Sequence, residues 1–182
     1  MARALLLSLL VRQHLALKEK FRARYPHCWL VWEAGVWNVP ESNEQNHSAT
    51  RLPTDELHDC LPSGDAMCFE LVPGTRRDVL PLGRSSHNVL VINDATVSRV
   101  HLLLKHQPEG RWLVEALPQG ASALLSGRRL RPGLPTLLEP GMQLQLGDVR
   151  LTFHDAEGFH ARMSHTAALV LAHQRRNEDT PA

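Results

Sequence analysis

The sequence predicts a mainly β fold, a sandwich or barrel, carrying a helix at each end. Three observations carry this. From Ala66 onward, short apolar runs alternate with turn residues at close intervals. Before that point, Pro40 to Pro53 is rich in Glu, Asn, Ser and Gln and reads as a linker. At both ends of the chain, apolar residues recur at helical rather than alternating spacing.

Near the start, Leu6, Leu10, Leu17 and Phe21 fall on one helical face, with Arg12, Lys18, Glu19, Lys20, Arg22 and Arg24 on the other. The spacing predicts one amphipathic helix of about five to six turns, ended by Tyr25-Pro26. The run Leu5 to Val11 is followed at once by Arg12, Gln13 and His14. It lacks the cleavage pattern of a signal peptide and is far shorter than the ~20 residues of a membrane span.

Trp29 to Trp37 is aromatic and β-branched, is broken at Ala34-Gly35, and reads as a strand or short hairpin closed by Pro40. It holds three of the four Trp residues. Such a cluster is either an exposed recognition surface or a small core that fastens the helix to the β domain, and large aromatics supply the buried area that the second role needs. A short helical turn is expected at Thr54 to Leu61.

The β region reads as runs at Met67–Val72, Asp78–Leu82, Val89–Ile92, His101–His106, Trp112–Leu117 and Ala123–Leu125, then Met142–Phe153 with a turn at Gly147-Asp148. Turns fall at Pro73-Gly74, Asn93-Asp94, Pro108-Glu109-Gly110, Ser126-Gly127, Pro132-Gly133 and Pro140-Gly141. Glu157 to Arg176 closes the chain as a helix with Phe159, Met163, Ala167, Val170 and Leu171 on one face. The expected organisation is residues 1–65 as a helical, Trp-rich extension and linker, 66–155 as the β domain, and 156–182 as a helix and polar tail.

With 43% hydrophobic and 21% charged residues, the 182-residue chain has ordinary globular composition. A formal charge of +1 excludes the strongly basic footprint of a nucleic-acid binder. Residues 66–155 nevertheless hold ten Lys and Arg against eight Asp and Glu, and nine of the ten are Arg, the side chain suited to forked recognition of phosphate. Cys28, Cys60 and Cys68 have neither pairing nor metal spacing, which fits core packing in a reducing, cytoplasmic compartment. No cofactor or metal is expected: there is no phosphate-binding glycine loop or dinucleotide fingerprint, and His160, His165 and His173 are not spaced as a helical ligand pair. Ser98 and His101 are the only candidate nucleophile and base, without the Gly-x-Ser-x-Gly elbow of a hydrolase.

The motif order is the most informative feature. Leu82-Gly83-Arg84 ends one strand, Val89–Ile92 and the Asn93-Asp94 turn follow, and Ser98-Arg99-Val100-His101 comes next. Downstream stand Ser126-Gly127 and the run Leu138 to Asp148. Together these resemble a forkhead-associated (FHA) domain of bacterial type, a phosphothreonine-reading module, over Ala66 to Asp155. The resemblance implies an FHA-like antiparallel β-sandwich and no catalysis. It implies that Arg84, Ser98 and the Arg99 backbone N–H hold the phosphate, while Gln119, Thr96 and Asn93 meet the rest of the peptide. Gly83, His101 and Gly120 would be structural supports, His101 by bracing the Ser98 loop.

A phosphothreonine brings roughly −1.5 to −2 charges and three acceptor oxygens, so several convergent donors are needed. The chain departs from the family pattern at Leu117-Pro118-Gln119-Gly120-Ala121-Ser122, where the family has Thr-Asn-Gly-Thr and Gln119 stands for the Asn. Gln119 carries one methylene more than Asn, which moves its amide by roughly 1.5 Å. The structural alternative is an Arg84–Asp94 surface ion pair with Ser98 capping a turn. The expected partner is a phosphorylated protein or a Ser/Thr kinase, with no nucleic acid and no membrane. The functional alternative is phospho-independent docking or dimerisation through the first helix and the Trp-rich segment.

Overall fold

The computed structural model describes residues 3–35, 65–73 and 78–178. Trp37, the Pro40–Pro53 linker, the turn at Thr54–Leu61, Cys60 and Gly74 lie outside the described residues.

Among the described residues, twelve strands form two facing sheets. In chain order they are β1 (Ala4–Leu6), β2 (Cys28–Trp32), β3 (Met67–Leu71), β4 (Val79–Gly83), β5 (Leu90–Val91), β6 (Leu102–His106), β7 (Trp112–Ala116), β8 (Ala123–Leu125), β9 (Arg128–Arg129), β10 (Thr136–Leu137), β11 (Gln143–Leu146) and β12 (Val149–His154). The larger sheet has the order β1-β3-β2-β12-β11-β8-β9, and the smaller has β10-β7-β6-β4-β5. All neighbours are antiparallel except β4 and β5. The fold is thus a mainly β sandwich with a helix toward each end.

Alternation explains which residues meet between the sheets. In β7, Trp112, Val114 and Ala116 are buried, while Leu113 and Glu115 are only half-buried. They pack against Leu102 and Leu104 of β6 and, across the sandwich, the inward faces of β11 and β12.

Around β2 and β3 the larger sheet is covered on both faces, which accounts for their unbroken apolar runs. Leu30, Trp32, Met67, Phe69 and Leu71 face the sandwich core. Trp29, Val31 and Cys68 face a second core beneath the helices α1 (Leu7–Leu17), α2 (Lys20–Arg24) and α3 (Ala156–Glu178). Trp29 stacks on Phe159 at 4.3 Å, and Trp32 is 3% exposed, so both rings are packing residues. Arg162 grips both carboxylate oxygens of Glu33 at 2.6 and 2.7 Å, clamping α3 to the end of β2.

Several expectations change. The first helix is not continuous: Lys18 takes φ 49° and ψ −121° and separates α1 from α2. The bend turns Phe21 and Tyr25 into the second core, where Phe21 lies against Tyr25, His14 and His160. Leu6 belongs to β1, paired with Met67, and leaves the helical stripe to Leu7, Leu10 and Val11. Leu171 is 39% exposed, because the inward face of α3 ends near Val170. Finally, β2 sits between β3 and β12, so the larger sheet takes two of its strands from before residue 66.

No helix among the described residues is long and apolar enough to cross a membrane. Among the same residues, no cluster of three or more His, Cys, Asp or Glu side chains has the geometry of a metal site.

Candidate functional site

Three loops converge at one end of the sandwich, and the closeness of the first two begins with a glycine. At Gly83, the last residue of β4, a Cβ would lie 2.4 Å from the Arg99 carbonyl oxygen and 2.8 Å from that of Ser98. Only a residue without a side chain lets the strand end pass this close. The pairing of β4 with the chain entering β6 then continues past the strand: His101 N–H donates to Leu82 O at 2.8 Å, Arg84 N–H to Ser98 O at 2.9 Å, and Ser85 N–H to Arg99 O at 3.1 Å. Arg84 and Ser98 are therefore on hydrogen-bonded neighbouring segments, with backbones about 5 Å apart.

Asn88, buried at 4% exposure, locks this arrangement from inside. Its amide donates to the carbonyls of Ser85 (2.8 Å) and Arg99 (2.6 Å). These carbonyls flank Arg84 and Ser98, so one side chain ties both loops together.

The second loop has its own frame. Asp94 is fully buried, and its Oδ1 accepts the Thr96 N–H at 2.8 Å and the Thr96 hydroxyl at 2.6 Å. Thr96 Oγ1 in turn accepts the N–H of Asp148 at 3.0 Å, joining the loop to the β11–β12 turn. Gly147 in that turn has φ +61°, and a Cβ there would sit 2.4 Å from Thr96 Oγ1.

Ser98 is held from both sides. Its backbone N–H donates to Nδ1 of His101 at 3.1 Å, and its Oγ accepts the Ala121 N–H at 3.0 Å. The Ala121 contact brings in the third loop and leaves the hydroxyl hydrogen available for donation. His101 is fully buried. Burial pulls its pKa below the ordinary histidine value, while the Ser122 and Ala121 carbonyls oppose that shift. A neutral ring is also what acceptance at Nδ1 requires. The Nδ1 of His101 is thus taken by the Ser98 backbone N–H rather than by its hydroxyl.

Gly83, Arg84, Ser98, Arg99 and His101 are thus brought together. Arg84 and Ser98 are half-buried and Arg99 is exposed. Gly120 lies against the same group, where a Cβ would stand 3.2 Å from the His101 carbonyl. Gln119 is exposed in the turn before Ala121. Thr96 has its hydroxyl committed to Asp94 and Asp148, and Asn93 is half-buried beside the buried Asp94. Sequence reading missed Asn88 and the Ala121 N–H. The polar run Ser85 to Asn88 offered a signal for the first, whereas a backbone donor has none.

The arrangement offers a guanidinium and a hydroxyl on tied loops, suited to an anion with several acceptor oxygens. Residues 81–147, which include every residue of this group, match the family model of the FHA domain. A comparison with curated proteins finds no match. Among solved structures, the chain is similar to the FHA domain of an Arabidopsis thaliana hypothetical protein, at 22% identity over 71% of this chain and 85% of that one, with a TM-score of 0.47. It is also similar to the FHA domain of CT664 from Chlamydia trachomatis, at 17% identity over 71% and 97%, TM-score 0.49. A third is the N-terminal FHA domain of Rad53p from S. cerevisiae, solved with a phosphothreonine peptide, at 14% identity over 74% and 98%, TM-score 0.44. The family match thus covers residues 81–147, the segment that holds the whole candidate site.

Proposed function

We propose that the chain is a non-catalytic adaptor that binds phosphothreonine peptides of a phosphorylated protein or a Ser/Thr kinase, in cytoplasmic signalling. The observation that supports this is the hydrogen bond from Arg84 N–H to Ser98 O, which keeps the two backbone segments that carry these residues side by side. In this reading Arg84 supplies a charged fork, Ser98 a hydroxyl and Arg99 a backbone N–H to the phosphate. Gln119, Thr96 and Asn93 border the peptide chain, Thr96 through its methyl group because its hydroxyl is engaged.

Hydrogen bonds to charged groups contribute about 1.5–3 kcal/mol each, so three give roughly 4–9 kcal/mol, a dissociation constant on the order of millimolar to micromolar. That is a usable affinity for a reversible signalling contact. The binding face belongs to the 66–155 segment.

Calorimetric titration tests the reading. A phosphothreonine peptide is expected to bind saturably while its unphosphorylated counterpart does not, and Arg84→Ala abolishes the binding. Equal binding by Arg84→Ala removes the proposal.

A further inference from the structure

The third loop has a cationic neighbour that the phosphate reading does not use. Residues 117–122 leave the smaller sheet at Ala116 and enter the larger one at Ala123. A second segment spans the same two strand ends: Leu130 N–H donates to Ala123 O at 2.9 Å, and Gly133 N–H donates to Ala116 O at 3.0 Å. Arg131 and Pro132 therefore run alongside the loop whose Ala121 N–H meets Ser98 Oγ. The backbone here is fixed, because Leu134 N–H closes a turn on Arg131 O at 3.2 Å and Gly133 takes φ +75°.

Arg131 is exposed, as are Arg128 and Arg129 on the edge strand β9 that precedes it. Glu139, the carboxylate nearest in sequence to Arg131, forms no ion pair with it, and Glu115 and Glu109 pair with Lys105 and Arg111. Among the described residues, none forms an ion pair with Arg131. An exposed guanidinium on a fixed turn, beside a loop that touches the phosphate-holding serine, is placed to meet whatever chain leaves the phosphate in that direction.

We infer that Arg131 is a specificity-determining residue that selects phosphopeptides carrying an acidic residue on the flank lying over the 117–122 loop. The inference rests on the phosphothreonine reading and deepens it. Because the contact is rim-like and solvent-exposed, it adjusts preference rather than deciding binding, and salt weakens it.

The test uses the full chain and fluorescence-labelled phosphothreonine peptides that carry Asp or Ala on one flank, then on the other. One flank should show an acidic preference of roughly two- to fivefold, the range open to an exposed ion pair. Arg131→Ala should erase that preference while leaving the all-Ala peptide unchanged, and Arg131→Glu should reverse it in favour of Lys. Arg128→Ala removes the same charge opposite Leu125, roughly 7 Å further along the strand from Ala123, and should keep the preference. Equal affinities for acidic and neutral flanks, or a preference that survives Arg131→Ala, overturn this inference alone. Failure of every phosphopeptide to bind overturns the phosphothreonine reading with it.

Discussion

His101 Nδ1 accepts the backbone N–H of Ser98 at 3.1 Å, so a fully buried imidazole sets the conformation of the loop that presents the serine. His101→Ala leaves a cavity and strips that N–H of its partner. The expected cost is about 2–4 kcal/mol, combining a lost core side chain with an unsatisfied donor. Chemical denaturation measures it, and phosphopeptide affinity should fall even at temperatures where the variant is folded.

Asn88→Ala should weaken binding without touching either proposed phosphate ligand. It removes one of the two hydrogen bonds at each of the Ser85 and Arg99 carbonyls, those at 2.8 and 2.6 Å, and leaves the backbone ones. A loss of about 1–3 kcal/mol in stability is expected for the two lost side-chain hydrogen bonds. A variant with native stability and native affinity would show that the two loops do not depend on this tie.

Gly83→Ala places a methyl 2.4 Å from the Arg99 carbonyl, against backbone that cannot rotate away. The loops must separate, at a cost of about 1–3 kcal/mol. Thermal melting and peptide titration should both register the change. Gly110→Ala is a useful contrast: its φ of +80° makes the substitution strained, but nothing lies within 4 Å and peptide binding should be unaffected.

Stability should fall on mild acidification. His14, His101, His154 and His160 are all held below the ordinary histidine pKa, with burial the leading cause in each. The unfolded chain therefore binds more protons than the folded one once pH drops below about 6.5. The stabilisation is fully present above that value, is lost as pH falls toward the lower folded-state values, and then levels off. Urea midpoints of the peptide-free protein should decrease from pH 8 to pH 5. A midpoint that rises over that interval would contradict the assignment.

Sequence legibility followed locality. The strands at 102–106, 112–116 and 123–125 stand out because apolar runs and turn residues bracket them within a few positions. The place of β2 does not, since Trp29 pairs with Glu70 on one side and His154 on the other. The break at Lys18 is hidden because Leu17 and Phe21 keep helical spacing across it. At the site, Gly83-Arg84 and Ser98-Arg99-Val100-His101 are linear motifs. The Asn88 tie and the Ala121 N–H arise only when distant segments meet, and backbone donors leave no mark in residue identity.

The most direct test of the central claim is an amide NMR titration of the full chain with a phosphothreonine peptide. The account predicts saturable shifts centred on Arg84, Ser98, Arg99 and Ala121, absent with the unphosphorylated peptide and absent in Arg84→Ala. Shifts centred instead on the helical face of α1 and α3, or unchanged by Arg84→Ala, would contradict it.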